Sequence, residues 1–197
     1  MSSRPQLVLD IAGVLVTNMS PGFWRELSVY ADIPYESLVT RFKYDIRERL
    51  WSGSIGEGDF WRWLRTEFPS IDQNDAHDIL QSSLRPLPAM EHLSDWCQVA
   101  DIHLLSNHRT EWLVSTLTAA RKYIKSATIS SDVGFCKPDP RIYELAAAKL
   151  NAVGAVLFVD DQEKNLTPAS NLGWGTLLAD ETGEWIGKVR PLIHHRV

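Results

Sequence analysis

Four small groups of polar residues stand at the ends of apolar runs in this 197-residue chain, and together they hold what is needed to bind a divalent cation beside an oxyanion. The first is a lone carboxylate, Asp10, which follows Leu7-Val8-Leu9 and precedes Ile11 and the small-residue step Ala12-Gly13. The second is Ser106-Asn107 after Ile102-His103-Leu104-Leu105, and the third is Lys137, ahead of Pro138-Asp139. The fourth is the pair Asp160-Asp161 after Ala155-Val156-Leu157-Phe158-Val159, with Asn165 following. Burying a lone carboxylate costs more than a strand gains unless a cation or hydrogen-bond donors compensate it, which marks Asp10 as a site candidate. Mg²⁺ takes one or two carboxylates together with substrate oxygens, and a lysine ammonium offers a point charge to phosphate. Each group has a plainer explanation when taken alone. Asp10 can open a turn that Gly13 completes, Ser106 or Asn107 can cap a helix, Lys137 can be a solvated loop charge, and Asp160-Asp161 can be a polar turn. Their order along the chain is what argues for chemistry.

Such groups need a scaffold that gathers strand ends at one edge. From Met90 onward, short apolar runs alternate with helical patterns. Strands are expected at 102–105, 127–129, 155–159 and 176–178, and helices at 91–96, 110–123, 139–150 and 164–172. With Leu7-Val8-Leu9 this predicts an α/β fold, a Rossmann-like parallel sheet of about five strands covered by helices on both faces. In such a sheet ligands sit beyond the carboxyl ends of the strands, where all four groups fall. Val14-Leu15-Val16 reads as a short extension or hairpin arm, and the stretch 17–22 as a break. Between Phe23 and Arg85 the periodicity is helical, interrupted at Gly53, Gly56 and Gly58, with Asp59 a candidate cap and Pro86 and Pro88 closing the last helix. Eleven of the nineteen aromatic residues lie between Phe23 and Phe68, enough for this segment to pack a core of its own. The expected organisation is therefore a core of residues 1–16 and 90–197 with a helical insert, 17–89, after the first strand.

The apolar share of 44% and charged share of 23% are those of an ordinary globular chain, and the formal charge of −5 disfavours a general nucleic-acid or membrane surface. Cys97 and Cys136 form no metal-type spacing and read as free thiols. No signal-peptide pattern follows Met1 and no stretch is apolar enough to span a membrane, so the expected location is cytoplasmic.

Taken together, the motifs make the chain resemble the haloacid dehalogenase superfamily of hydrolases, many of which are phosphatases. Leu7 to Val16 is similar to the first motif of that family, Leu104-Leu105-Ser106-Asn107 to the second, Cys136-Lys137-Pro138-Asp139 to the third, and Phe158-Val159-Asp160-Asp161 to the fourth. The insert matches the family's small helical cap in position. The resemblance implies that Asp10 is a nucleophile forming an aspartyl-phosphate. It further implies that Asp10, the Ala12 carbonyl, Asp160 and Asp161 hold Mg²⁺, and that Ser106, Asn107 and Lys137, with backbone amides at Ile11 and Ala12, bind the phosphoryl group of a small phosphorylated molecule. The cap would exclude water and select the substrate.

One position departs from the pattern. Phosphatases of that family carry a second aspartate two residues after the nucleophile as acid and base, and here that residue is Ala12. A methyl group transfers no proton, and general acid–base help is worth roughly 10²- to 10⁴-fold. Two other readings follow: a binding or regulatory protein that has lost turnover, or hydrolysis at carbon. The phosphonate branch needs a cap lysine for Schiff-base chemistry, for which Lys43 is the sole candidate between residues 17 and 89. The dehalogenating branch carries a bulkier residue than Ala12. His108 reads as a surface residue in the first turn of a helix, Glu163 as a helix-start charge, and the adjacent His194 and His195 as no metal site, since neighbours do not share a helix face.

Overall fold

The computed structural model describes residues 4–151 and 154–194. The apolar runs form one sheet of five parallel strands, β1 (Gln6–Leu9), β2 (Asp101–Ser106), β3 (Ile124–Ile129), β4 (Val156–Asp160) and β5 (Gly175–Leu178), in the order β3-β2-β1-β4-β5. Central β1 is buried along its whole length because both faces of the sheet are covered. Leu7 and Leu9 point into one core with Trp96 and Trp185, while Val8 points into the other with Tyr143, Phe158 and Trp174. Register aligns Leu9 with Leu104 of β2 and Val159 of β4, so Asp10, Ser106 and Asp160 emerge together at one edge.

Five α-helices make up the insert: α1 (Met19–Ala31), α2 (Tyr35–Asp45), α3 (Arg47–Trp51), α4 (Glu57–Glu67) and α5 (Gln73–Ser83). Six more clothe the sheet: α6 (Leu93–Val99), α7 (Thr110–Leu117), α8 (Ser130–Val133), α9 (Pro140–Ala147), α10 (Glu163–Asn171) and α11 (Trp185–His194).

Several local expectations change. Helix α1 reaches back to Met19, inside the expected break, with a kink at Ser20 (φ −98°, ψ 134°); its regular part begins at Pro21, where a missing N–H costs little. Val14-Leu15-Val16 is a tight loop rather than an arm, its amides donating to the Ile11 carbonyl. Asp59 does not stand at the N-cap of α4. Gly56 does, and the Asp59 carboxylate reaches back from the third helical position to accept from the Gly56 N–H at 3.0 Å. The helix expected over 110–123 ends at Leu117, and the strand after it begins at Ile124. His195 lies outside the described residues.

The insert is tied to the sheet twice. Its two linkers run side by side, the Thr17 amide donating to Arg85 O and the Leu87 amide to Leu15 O, both at 2.8 Å. On the far side, Trp112 of α7 enters the aromatic core of the insert, so that core is shared rather than self-contained. The buried Arg109 donates to the carbonyls of Leu50 (3.2 Å) and Ile55 (2.8 Å), and Ser130 Oγ donates to Trp51 O at 2.6 Å.

Candidate active site

The carboxyl edge of the sheet brings Asp10, Lys137, Asp160 and Asp161 into one cluster. Asp10 follows β1, Asp160 ends β4, and Asp161 opens the turn into α10. Lys137 comes from the loop between α8 and α9, and Asn107 fixes that loop. The Lys137 N–H donates to Asn107 Oδ1 at 2.7 Å, and Asn107 Nδ2 donates back to Lys137 O at 2.9 Å. Lys137 Nζ then sits between two carboxylates, 2.9 Å from Asp10 Oδ2 and 2.5 Å from Asp160 Oδ2. Asp160 Oδ1 accepts from Asn165 Nδ2 at 2.9 Å and from the Gln162 amide at 2.8 Å. Buried Tyr143 holds this turn, its hydroxyl donating to Asn165 O at 2.8 Å.

The electrostatics follow from burial. Asp10 is withdrawn from water, which raises its pKa from 3.8 to about 7; Lys137 opposes the rise and Asp160 adds to it. Burial works against the Lys137 ammonium too, but Asp10 and Asp160 outweigh it and hold the lysine above its ordinary value. Asp161 is raised, chiefly by burial. Two buried carboxylates, Asp10 and Asp160, and the half-buried Asp161 thus surround a single ammonium.

Oxygens of Asp10, Asp160 and Asp161 lie within 4.8 Å of one another, an arrangement that suits a hard cation. Two further observations fit one. Asp161 Oδ1 is buried without a hydrogen-bond partner, and among the described residues no hydrogen bond reaches the Ala12 carbonyl. The other oxygen of Asp161 accepts from Asn18 Nδ2 at 3.2 Å and lies against Gly13, where an added Cβ would stand 2.1 Å away. Gly13 also has φ +85°, so backbone conformation and close approach both call for glycine. Ser106 Oγ lies close enough to favour ionised Asp10 but meets no hydrogen-bond geometry, leaving a buried, unpartnered hydroxyl.

Two expectations shift in detail. The Ile11 amide, expected to face phosphoryl oxygens, donates to Asp10 Oδ1 at 2.7 Å, because the carboxylate folds back on the next peptide. Asn107 lines the cleft, but both ends of its side-chain amide are engaged in holding Lys137. His108 is a correction. It is 1% exposed instead of lying on the surface, covered by Trp51 and Trp112 at ring distances of 5.7 and 6.2 Å. Its Nδ1 bonds the Arg109 carbonyl at 3.1 Å, a contact that requires the proton there, and burial lowers its pKa to about 4. Asn18 and Arg109 escaped the sequence reading altogether; neither sits in a spacing that signals a role.

Above the cluster lies a cleft of about 850 Å³ between the sheet edge and the insert. Ala12, Lys137 and Asp161 line its sheet side, and Trp24, Phe42 and Trp51 its insert side. Lys43 also lines it and is exposed.

The family model described as haloacid dehalogenase-like hydrolase matches residues 7–173. Among curated proteins no sequence matches. Solved structures resemble the fold closely. A HAD family enzyme from Bacteroides thetaiotaomicron, solved with magnesium and inorganic phosphate, superposes with a TM-score of 0.75 at 19% identity, over 89% of this chain and 94% of that one. A predicted HAD-like family hydrolase from Porphyromonas gingivalis gives 0.72 at 19% identity, over 96% and 97%. An L-2-haloacid dehalogenase from Xanthobacter autotrophicus gives 0.61 at 20%, over 88% and 76%.

Proposed function

The chain belongs to the haloacid dehalogenase-like hydrolases, and from that premise we propose that it hydrolyses a small phosphomonoester by way of a phosphoryl group carried on Asp10. The carrying observation is the charge balance. Two buried carboxylates, Asp10 and Asp160, and the half-buried Asp161 stand around one ammonium, Lys137, so a dianionic phosphate would enter a site already net negative. Substrates of that charge require a divalent cation there. Asp10, Asp160, Asp161 and the Ala12 carbonyl would hold Mg²⁺, which when bound offsets the repulsion between carboxylate and phosphate.

The residues then divide the work. Asp10 attacks phosphorus, forming the carboxylate O–P bond as the ester P–O bond breaks, and water later cleaves the acyl phosphate to free Asp10 and inorganic phosphate. Lys137 stabilises charge on the phosphoryl oxygens, held in place by Asn107. Ser106 supplies its unpartnered hydroxyl to the same oxygens. The insert acts as a cap that excludes water, with Trp51 and Phe42 over the cleft. Free Cys97 and Cys136 accord with a cytoplasmic setting, and among the described residues no helix is long and apolar enough to cross a membrane.

The test is phosphate release from a panel of phosphorylated metabolites with and without Mg²⁺. Release that stops with EDTA and in Asp10→Asn supports the proposal; release surviving both refutes it.

Ala12 favours a second reading, a protein that binds the phosphorylated ligand without turning it over. The two readings part on Ala12→Asp. In a working site the restored carboxyl speeds the transfer of phosphoryl to Asp10 from esters with poor leaving groups by roughly 10²-fold or more, and that same step less for aryl phosphates. A folded, Mg²⁺-binding Ala12→Asp variant that hydrolyses nothing supports the binding protein instead.

A further inference from the structure

The cleft carries charge of the opposite sign to the whole molecule. The chain has a formal charge of −5, yet Lys43, Arg47 and Lys164 line the cleft along with Lys137. Lys137 is paired with Asp10 and Asp160 and belongs to the phosphoryl site. The other three make no ion pair among the described residues. Lys43 approaches the Tyr44 ring at 5.9 Å. On the acidic side, Asp161 belongs to the carboxylate cluster, which leaves Glu48 as the sole other acid lining the cleft. Three uncommitted cations against one acid leave the outer cleft net positive while the protein around it is net negative.

The cations also come from both walls. Lys43 lies in the last turn of α2 and Arg47 starts α3 on the insert, whereas Lys164 stands in the first turn of α10 on the sheet side. Arg47 and Glu48 lie near enough to Cys136, the neighbour of Lys137, to act on its thiol in opposite directions. The charged rim is therefore continuous with the phosphoryl site. Between them run the aromatic walls of Trp24, Phe42 and Trp51. A cleft of about 850 Å³ is also far larger than a phosphoryl group on two or three carbons, a water molecule occupying about 30 Å³ of liquid.

We propose that the leaving half of the substrate carries a second anionic group, a carboxylate or another phosphate, drawn to Lys43, Arg47 and Lys164 across an apolar or ring-shaped midsection. This rests on the reading of the Asp10 cluster as the phosphoryl site. Partly exposed charge pairs contribute up to about 1 kcal/mol each, so two or more give a preference of about tenfold. It weakens with salt, since the groups reach solvent.

The experiment measures binding, so that it stands apart from turnover. Affinities of phenylphosphonate, 4-carboxyphenylphosphonate and 1,4-phenylenediphosphonate are compared by calorimetry in Mg²⁺, on the wild-type protein and on the Lys43→Ala, Arg47→Ala, Lys164→Ala triple variant. At least one doubly anionic probe binds the wild type about tenfold more tightly than phenylphosphonate, and that ratio collapses in the triple variant. Which probe gains tells carboxylate from phosphate. Single Arg47→Ala and Lys164→Ala proteins repeat the measurement with one change on each wall. Equal affinity for all three probes, no binding of any, or a ratio that survives every variant overturns the proposal. A preference found in a protein that releases no phosphate leaves the second-anion site standing and refutes the phosphatase reading alone.

Discussion

Replacing Lys137 by alanine would leave Asp10 and Asp160 buried without their cation, and breaking a buried pair in this way commonly costs 3–5 kcal/mol. Asp10 already titrates near 7 and can take up a proton, which lowers the cost. The expected loss for Lys137→Ala is about 3 kcal/mol in urea unfolding without Mg²⁺, together with a fall in turnover larger than that of Ser106→Ala. Unchanged turnover would make Lys137 a structural charge only. His108 gives a second test. Its pKa falls from 6.5 to about 4 on folding, so between those values the unfolded chain binds more protons. Stability is then complete above pH 6.5 and is lost as pH falls toward 4, by up to about 3 kcal/mol. His108→Phe removes that part of the slope, measurable as unfolding free energy against pH, and an unaltered slope would show that His108 is not the titrating group. Its burial was illegible in the sequence because Trp51, which covers it, arrives from the insert.

At the scale of elements, β1, β2 and β4 were legible because each is a short, mostly apolar run ended by a polar residue, and a sheet covered on both faces demands that pattern; β3, with Lys125, Ser126 and Thr128 in its run, was seen only over its last three residues. The same pattern puts Asp10, Ser106 and Asp160 at the sheet edge, whereas Lys137 reaches it from the loop between α8 and α9. Helix α11 was not foreseen although Trp185, Val189 and Ile193 recur every four residues, because Gly187 and Pro191 interrupt the signal. The attachment of the insert was also unreadable. Arg109 and Trp112 look like ordinary helix-start residues until the fold sets them against Leu50, Ile55 and Glu57, the last accepting from Trp112 Nε1 at 2.8 Å. Gly53 belongs to that seam. It has φ +73°, and an added Cβ would stand 2.0 Å from the Ser131 carbonyl oxygen. Gly53→Ala should therefore cost about 1–3 kcal/mol. Faster hydrogen exchange in α3 and α4 than in β1 would accompany the loss. A neutral substitution would mean that the seam does not hold the insert.

For the molecule as a whole, the order β3-β2-β1-β4-β5 sets β1 at the point where successive connections turn to opposite sides of the sheet. Crevices form at such points, and Asp10 stands at the end of that strand. The insert roofs the crevice, and the cleft beneath it joins aromatic walls to the carboxylate cluster. The missing proton-transfer group at Ala12 then has a kinetic consequence. With a methyl in place of a carboxyl, activation of the hydrolytic water is the step left unaided, whereas an aryl leaving group departs from phosphorus with little help. Phosphorylated Asp10 should accumulate. The most direct measurement is acid quenching of the wild-type protein at short times after mixing with an aryl phosphate and Mg²⁺, followed by peptide mapping in a mass spectrometer. The account predicts a phosphoryl group on the peptide bearing Asp10, approaching one per chain, absent with EDTA and absent in Asp10→Asn. Phosphate release with no phosphoryl on Asp10 at any quench time, a phosphoryl group on a different residue, or no reaction at all would contradict it.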